Sequence, residues 1–203
     1  MQNRPDLYVP FVYLLAAIQY AWLGLSAWRE RPAIAIKPFV WTMLGMSLWS
    51  FTYGVEIFFT SLPIKVFIAK IEYFGIVSIP IFLLLFSLEF IGKSHLLNRS
   101  RRFLLWVFPL IILLLVWTNE YHHLMWSGET VITISGLSLL NIEYGPFFWI
   151  HVVFTYIIVL IASLLLIREF VQRPGAYRIQ ISLIILGILL PWFGNFLFIL
   201  KID

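Results

Sequence analysis

Cysteine is absent from the 203 residues. That excludes disulfide bridges, thiolate metal sites and cysteine nucleophiles. Charge is scarce as well. Only 12% of the residues are Asp, Glu, Lys or Arg, against roughly 25% in a soluble domain. With 62% hydrophobic residues, the chain has too little polar surface to cover a water-soluble globule, so it reads as an integral membrane protein. Also missing are His-Glu-x-x-His, Gly-x-Ser-x-Gly and the Walker and dinucleotide glycine fingerprints. His122 and His123 are adjacent and, with Glu120 and His151, show no metal-ligand spacing. No catalytic residue, metal or cofactor is therefore expected. The net charge of +4 follows membrane topology and is not a nucleic-acid signal. The start of the chain is weakly basic, its apolar run is too long for a signal peptide, and no cleavage site ends it. It reads as a retained helix.

What is present is a series of apolar runs. A spanning helix needs about 20 such residues, and six segments qualify: 7–28, 39–60, 64–91, 103–119, 147–167 and 179–200. The fold class expected is an all-α polytopic transmembrane bundle. No internal repeat or low-complexity linker divides it, so residues 1–203 read as one domain. The connections sort by charge. Arg29, Arg31 and Lys37 lie in the first, Lys93, Arg99, Arg101 and Arg102 in the third, and Arg168, Arg173 and Arg178 in the fifth, ten of the 14 basic residues. The positive-inside rule puts these connections in the cytoplasm and the N-terminus outside. The long outer connection, 120–146, alternates apolar and polar residues over Val131–Ser135, turns at Gly136 and is strand-like again over Leu137–Ile142. That pattern fits a small β-hairpin.

Ionisable residues inside apolar segments are costly, roughly 2.5–3.5 kcal/mol at a helix centre, and usually face a bundle interior or a wet cavity. Glu56, Lys70 and Glu72 are of this kind. Lys70 and Glu72 are two positions apart and diverge by about 200° on a helix. Glu56 and Lys70 differ in expected depth by only about 3 Å, so they are the expected structural ion pair. Thr42, Gly45, Trp49, Thr52, Tyr53 and Glu56 share an arc of the second helix and should face the bundle. Lys70 and Tyr73 share a face of the third. Asn119, His151 and Asn195 sit at the same outer level. Tyr53, Glu56, Lys70, Tyr73, His151 and Asn195 are accordingly the candidate ligand-binding residues of a shallow outward pocket. Pro80 and Pro191 interrupt helices and provide kinks.

Several patterns occur in a fixed order: Trp49-x-Phe51-x-Tyr53-x-x-Glu56, Lys70-x-Glu72-Tyr73-x-Gly75 with Pro80, and Thr118-Asn119-x-x-His122-x-Leu124. Tyr144-Gly145-Pro146-x-Phe148-Trp149, Arg178-x-Gln180 and Pro191-x-x-x-Asn195 follow. Together they resemble the N-terminal seven-transmembrane sensor region of bacterial and archaeal histidine kinases. The resemblance implies a membrane input module, not itself an enzyme, that precedes a histidine-kinase, PAS or diguanylate-cyclase domain. It would detect an external or intramembrane signal and pass it inward. The sequence departs from the family pattern by holding six segments, so a seventh helix is expected beyond Asp203, ahead of the effector. The partners implied are the bilayer of the inner cell membrane, a small-molecule or membrane-derived signal, a cytoplasmic effector and a second copy in a homodimer. Alternatives are a small-molecule transporter or a structural membrane anchor. A transporter would want polar residues along a whole pathway, whereas the ionisable residues here cluster outward. A retinal photoreceptor would need Lys70 as its Schiff-base lysine, and Lys70 sits too far out.

Overall fold

In the computed structural model, residues 8–29, 35–172 and 182 are described. Among them are six α-helices, one of them a single turn, a short 3-10 helix at Ser94–Leu96, and one two-stranded antiparallel sheet. Helix α1 is Val9–Arg29, α2 Ile36–Glu56, α3 Leu62–Phe90, α4 Arg99–Trp117, the short α5 Asn119–His122 and α6 Pro146–Gln172. Strands β1, Trp126–Ile134, and β2, Leu137–Tyr144, lie between α5 and α6. Among the described residues four helices, α1, α3, α4 and α6, are long and apolar enough to cross a membrane. Helix α2 matches α1 in length, 21 residues, but is less apolar. The reason is its position between α1 and α3: protein rather than lipid meets Thr42, Thr52 and Glu56, all buried. The expected sixth segment, 179–200, with Pro191, lies outside the described residues.

Helix α3 is the centre of the molecule. It packs against α2, α4 and α6 and touches both strands. Its 29 residues rise about 43 Å, more than the roughly 30 Å hydrocarbon core. Proline at its first turn starts it without losing a hydrogen bond. Pro80, inside it, is fully buried. Helices α2 and α3 cross where Gly45 meets Gly75. A Cβ on Gly75 would lie 2.7 Å from the Gly45 carbonyl oxygen, closer than such atoms approach. The two backbones therefore touch, as small residues allow in membranes. Helix α4 starts four residues before the expected 103, because the Asn98 side chain caps it, accepting from Arg101 N at 2.9 Å. Arg99, Arg101 and Arg102 thus belong to its first turn rather than to a loop.

Polar side chains within the helices mostly find backbone partners. Thr42 donates to Pro38 O at 2.8 Å and Ser87 to Leu83 O at 2.9 Å. Ser47 reaches across to Ala17 O of α1 at 2.8 Å. Two apolar cores follow α3 along its length. One, around Leu84, Leu88, Ile158 and Leu166, joins the later part of α3 to α6. The other, around Val77, Ile112, Trp126 and Phe148, ties the earlier part of α3 to α4, α6 and the hairpin.

The hairpin has the expected turn. Ile134 pairs with Leu137, leaving Ser135 and Gly136 as a two-residue loop. Both have positive φ, 51° and 88°, as tight hairpins of right-handed twist require. The strands are longer than the sequence pattern suggested, because pairing continues to Trp126 and Tyr144 through an irregularity between Trp126 and Gly128.

Candidate functional site

The hairpin end of the bundle is held by charges. Lys65, three residues into α3, has a fully buried side chain and forms an ion pair with Glu56 at the end of α2. Its ammonium also donates to Glu56 O at 3.0 Å and to Ser138 O, on β2, at 2.8 Å. All three of its donor positions are used. The Glu56 carboxylate further accepts from the Leu140 backbone. One buried pair thus ties α2, α3 and the hairpin together.

The expected Glu56–Lys70 pair is therefore corrected. Helix α2 ends at Glu56, not at Thr60, and α3 begins at Leu62. In the resulting antiparallel register Glu56 faces Lys65, Trp49 faces Glu72, and Gly45 faces Gly75. Lys70 sits five residues, about 7.5 Å, further down α3 than Glu56's actual partner. It pairs instead with Glu120 of α5, its own side chain buried and the Glu120 side chain 61% exposed. The Lys70 ammonium beside it holds the Glu120 carboxyl below the usual carboxylate range.

Asn119 and His122 form the joint beneath the hairpin. The buried Asn119 amide donates to Trp126 O at 2.9 Å and to Glu129 Oε1 at 3.2 Å. Its oxygen accepts from the Met125 and Trp126 backbone, both at 3.1 Å. His122 Nδ1 accepts from Leu124 N at 3.0 Å, which leaves Nε2–H to face Thr118 Oγ1 at 3.1 Å. The Thr118, Asn119 and His122 side chains of this Thr-Asn-x-x-His-x-Leu stretch thus all bond where the chain folds from α4 into β1.

The structure brings Tyr73 and His151 together. Both are buried, with ring centroids 6.0 Å apart. Trp126 of the hairpin packs edge-on against Tyr73, its indole donating to the Tyr73 hydroxyl at 3.4 Å. Thr155 Oγ1 lies 3.5 Å from His151 Nδ1. Tyr144 stacks on Phe148 with centroids 3.7 Å apart. Burial pushes the Tyr144 hydroxyl pKa up, and the charge of Glu72 adds to this. Tyr53 is not in this cluster. It faces α1, its ring edge-on to Tyr13 with centroids 4.6 Å apart. Glu56 and Lys70 occupy their separate ion pairs, and Asn195 lies outside the described residues.

Two residues carry more than the sequence reading gave them. Lys65, which is not among the candidate residues, is the buried anchor. Its signal is a lysine two residues after Pro63, within the first turn of a helix. Glu72 accepts a hydrogen bond from Trp49. Elsewhere, an apolar cleft of about 360 Å³ opens between α2, α3 and α4, between Trp41, Phe74 and Trp106. None of the described candidate residues lines it. Among the described residues no three His, Asp or Glu side chains gather to hold a metal.

Long apolar helices around a buried, charge-bearing α3, with a small hairpin at one end, define a polytopic membrane domain. Residues 12–203 match the family described as the N-terminal 7TM region of histidine kinase, and the chain belongs to that family. No curated protein and no solved structure matches it. The family places the chain in the membrane as the sensor input region of histidine kinases, distinct from their catalytic region.

Proposed function

We propose that the chain detects an external or intramembrane signal at its hairpin end and passes it, through repacking of α3, to a cytoplasmic kinase or other effector. The observation that carries this reading is the convergence on one helix. Lys65, Lys70 and Tyr73 of α3 bind α2, the hairpin, α5 and the α6 neighbourhood within a few turns. The same helix then runs to Phe90, where Glu89 meets Arg102 at 3.7 Å. A ligand is sensed only if it favours one packing over another, and α3 is the element whose shift both ends would feel. Tyr53, Glu56, Lys70, Tyr73, His151 and Asn195 remain the proposed signal-responsive set. Tyr73 and His151 are its core, since their buried rings meet and the hairpin's Trp126 packs on Tyr73.

The proposed orientation puts the N-terminus and the hairpin outside and the Lys93–Asn98 connection in the cytoplasm, in line with the basic residues. Alkaline phosphatase inserted at the Ser135–Gly136 turn should be active, and inserted after Lys93 inactive. The sensor reading itself is tested by joining the chain to a histidine kinase's cytoplasmic region. Tyr73→Phe and His151→Ala should change reporter output several-fold at unchanged membrane level. If both act only through lost protein, the cluster is structural and the reading fails there.

A further inference from the structure

At the end of the bundle away from the hairpin, the first turn of α4 gathers positive charge. Arg99, Arg101 and Arg102 all lie in it, all three are exposed, and that turn holds no acidic residue. Lys93 adds a fourth positive charge just before it. Among the described residues, Glu89 of α3 is the carboxylate that meets one of them, 3.7 Å from Arg102. The helix dipole disfavours cations at this end as well. Asn98 already caps the backbone by accepting from Arg101 N. What this place offers an anion is therefore guanidinium, not the amide groups of a helix start.

Two of the guanidinium groups are held in place. Arg101 Nη1 donates to Leu96 O at 2.8 Å, and Arg102 Nε donates to Leu97 O at 3.2 Å. Both side chains thus fold back over the connection that precedes the helix. A guanidinium has five N–H donors, so one backbone bond each leaves donors for a further ligand. Immediately after the arginines the helix turns apolar and stays uncovered. Phe103 and Leu104 are each 69% exposed, and Leu110, Ile111 and Leu114 continue the exposed surface. Phe103 follows Arg99 by four positions and Leu104 follows Arg101 by three, so each lies one turn along from an arginine. Helix α4 is long and apolar enough to cross a membrane. Its arginines therefore stand where hydrocarbon ends and headgroups begin.

This arrangement selects one class of ligand. Phosphate oxygens match the planar fork of a guanidinium, which binds them through paired, charge-assisted hydrogen bonds. At the headgroup level the bilayer itself supplies phosphate. A zwitterionic lipid carries its own ammonium beside the phosphate and brings no net charge. An anionic glycerophospholipid brings one, and basic clusters next to a membrane helix attract such lipids. Its acyl chains match the uncovered apolar face that begins one turn below the arginines.

We propose that Arg99, Arg101 and Arg102 hold the phosphate of an anionic glycerophospholipid whose acyl chains lie along the exposed face of α4. Arg102 also meets Glu89 near the end of α3, so the headgroup sits beside the central helix. The site is independent of the sensor reading and of which way the chain crosses the membrane.

The chain is purified in an uncharged maltoside detergent and titrated with dioleoylphosphatidylglycerol. A ligand that binds the folded chain raises its melting temperature, so the melting temperature reads binding. Dioleoylphosphatidylcholine, with the same chains and no net charge, and inorganic phosphate, with charge and no chains, are the controls. Phosphatidylglycerol should raise the melting temperature saturably, and neither control should. Arg99→Gln combined with Arg101→Gln should weaken phosphatidylglycerol binding at least about tenfold. Lys37→Gln removes another exposed charge at the same end of the bundle and should leave binding unchanged. Should the double variant fail to fold, Arg99→Gln alone should weaken binding several-fold. No saturable effect of phosphatidylglycerol overturns the proposal. So does an equal effect of phosphatidylcholine, which would mark an acyl-chain contact alone, or of inorganic phosphate, which would mark an anion site without lipid. Binding unchanged in a folded arginine variant, or weakened as much by Lys37→Gln, overturns it as well.

Discussion

A lysine with no exposed surface is tolerated at position 65 because three oxygens meet its three donors and one of them is charged. Removing one partner of a buried pair leaves the other charged and unsatisfied, which costs about 3–5 kcal/mol. Lys65→Met should lower the melting temperature in detergent strongly. Glu56→Gln combined with it should lose clearly less than the sum of the single losses. Additive losses would show that the two side chains do not act as a unit. Glu120 gives a test in pH. Its carboxyl is held below its ordinary value of 4.5, first by the hydrogen bond from Lys70. A carboxylate with a depressed folded-state pKa stabilises fully above its unfolded value, and that contribution fades as pH falls through the folded one. Glu120 is largely exposed, so the gain is small. Acid melting curves should therefore show a modest loss of stability below about pH 4.5 that Glu120→Gln lacks.

At the scale of elements, much was legible from residue pattern alone. Apolar length marked α1, α3 and α6, and the Ser135–Gly136 turn marked the hairpin. Partner choice was not legible, for a geometric reason. Which residues face each other across α2 and α3 depends on where each helix stops, and an error of four residues at the end of α2 replaces Lys65 by Lys70 as the apparent partner. Nor does periodicity reveal that a hairpin folds back to offer Ser138 O to Lys65 or Trp126 to Tyr73. Tyr53 shares the arc of Glu56, yet α1 claims its ring. The contact of α2 with α3 makes its own prediction. Gly75→Ala places a Cβ against the Gly45 carbonyl, a backbone atom that cannot swing aside. Overpacking typically costs about 1–3 kcal/mol, so the variant should melt earlier. Gly92→Ala, in open space but at φ 72°, should keep the helix pair intact and lose only the local strain of a left-handed residue. Equal packing loss in both would place the α2–α3 contact elsewhere.

At the scale of the molecule, the family, the membrane-length helices and the buried network describe an input region whose hairpin-end contacts bear on one central helix. Lys70 is the group that couples that helix to the exposed Glu120 without serving the Glu56–Lys65 anchor. The most direct measurement is autophosphorylation in membrane vesicles of a fusion of this chain to a histidine kinase's cytoplasmic region. Wild type, Lys70→Met and Glu120→Gln are compared at matched protein amounts. The account predicts that both variants shift the rate in the same direction by several-fold, because each breaks the same tie between α3 and α5. Rates equal to wild type in both, with the proteins folded and inserted, would contradict it.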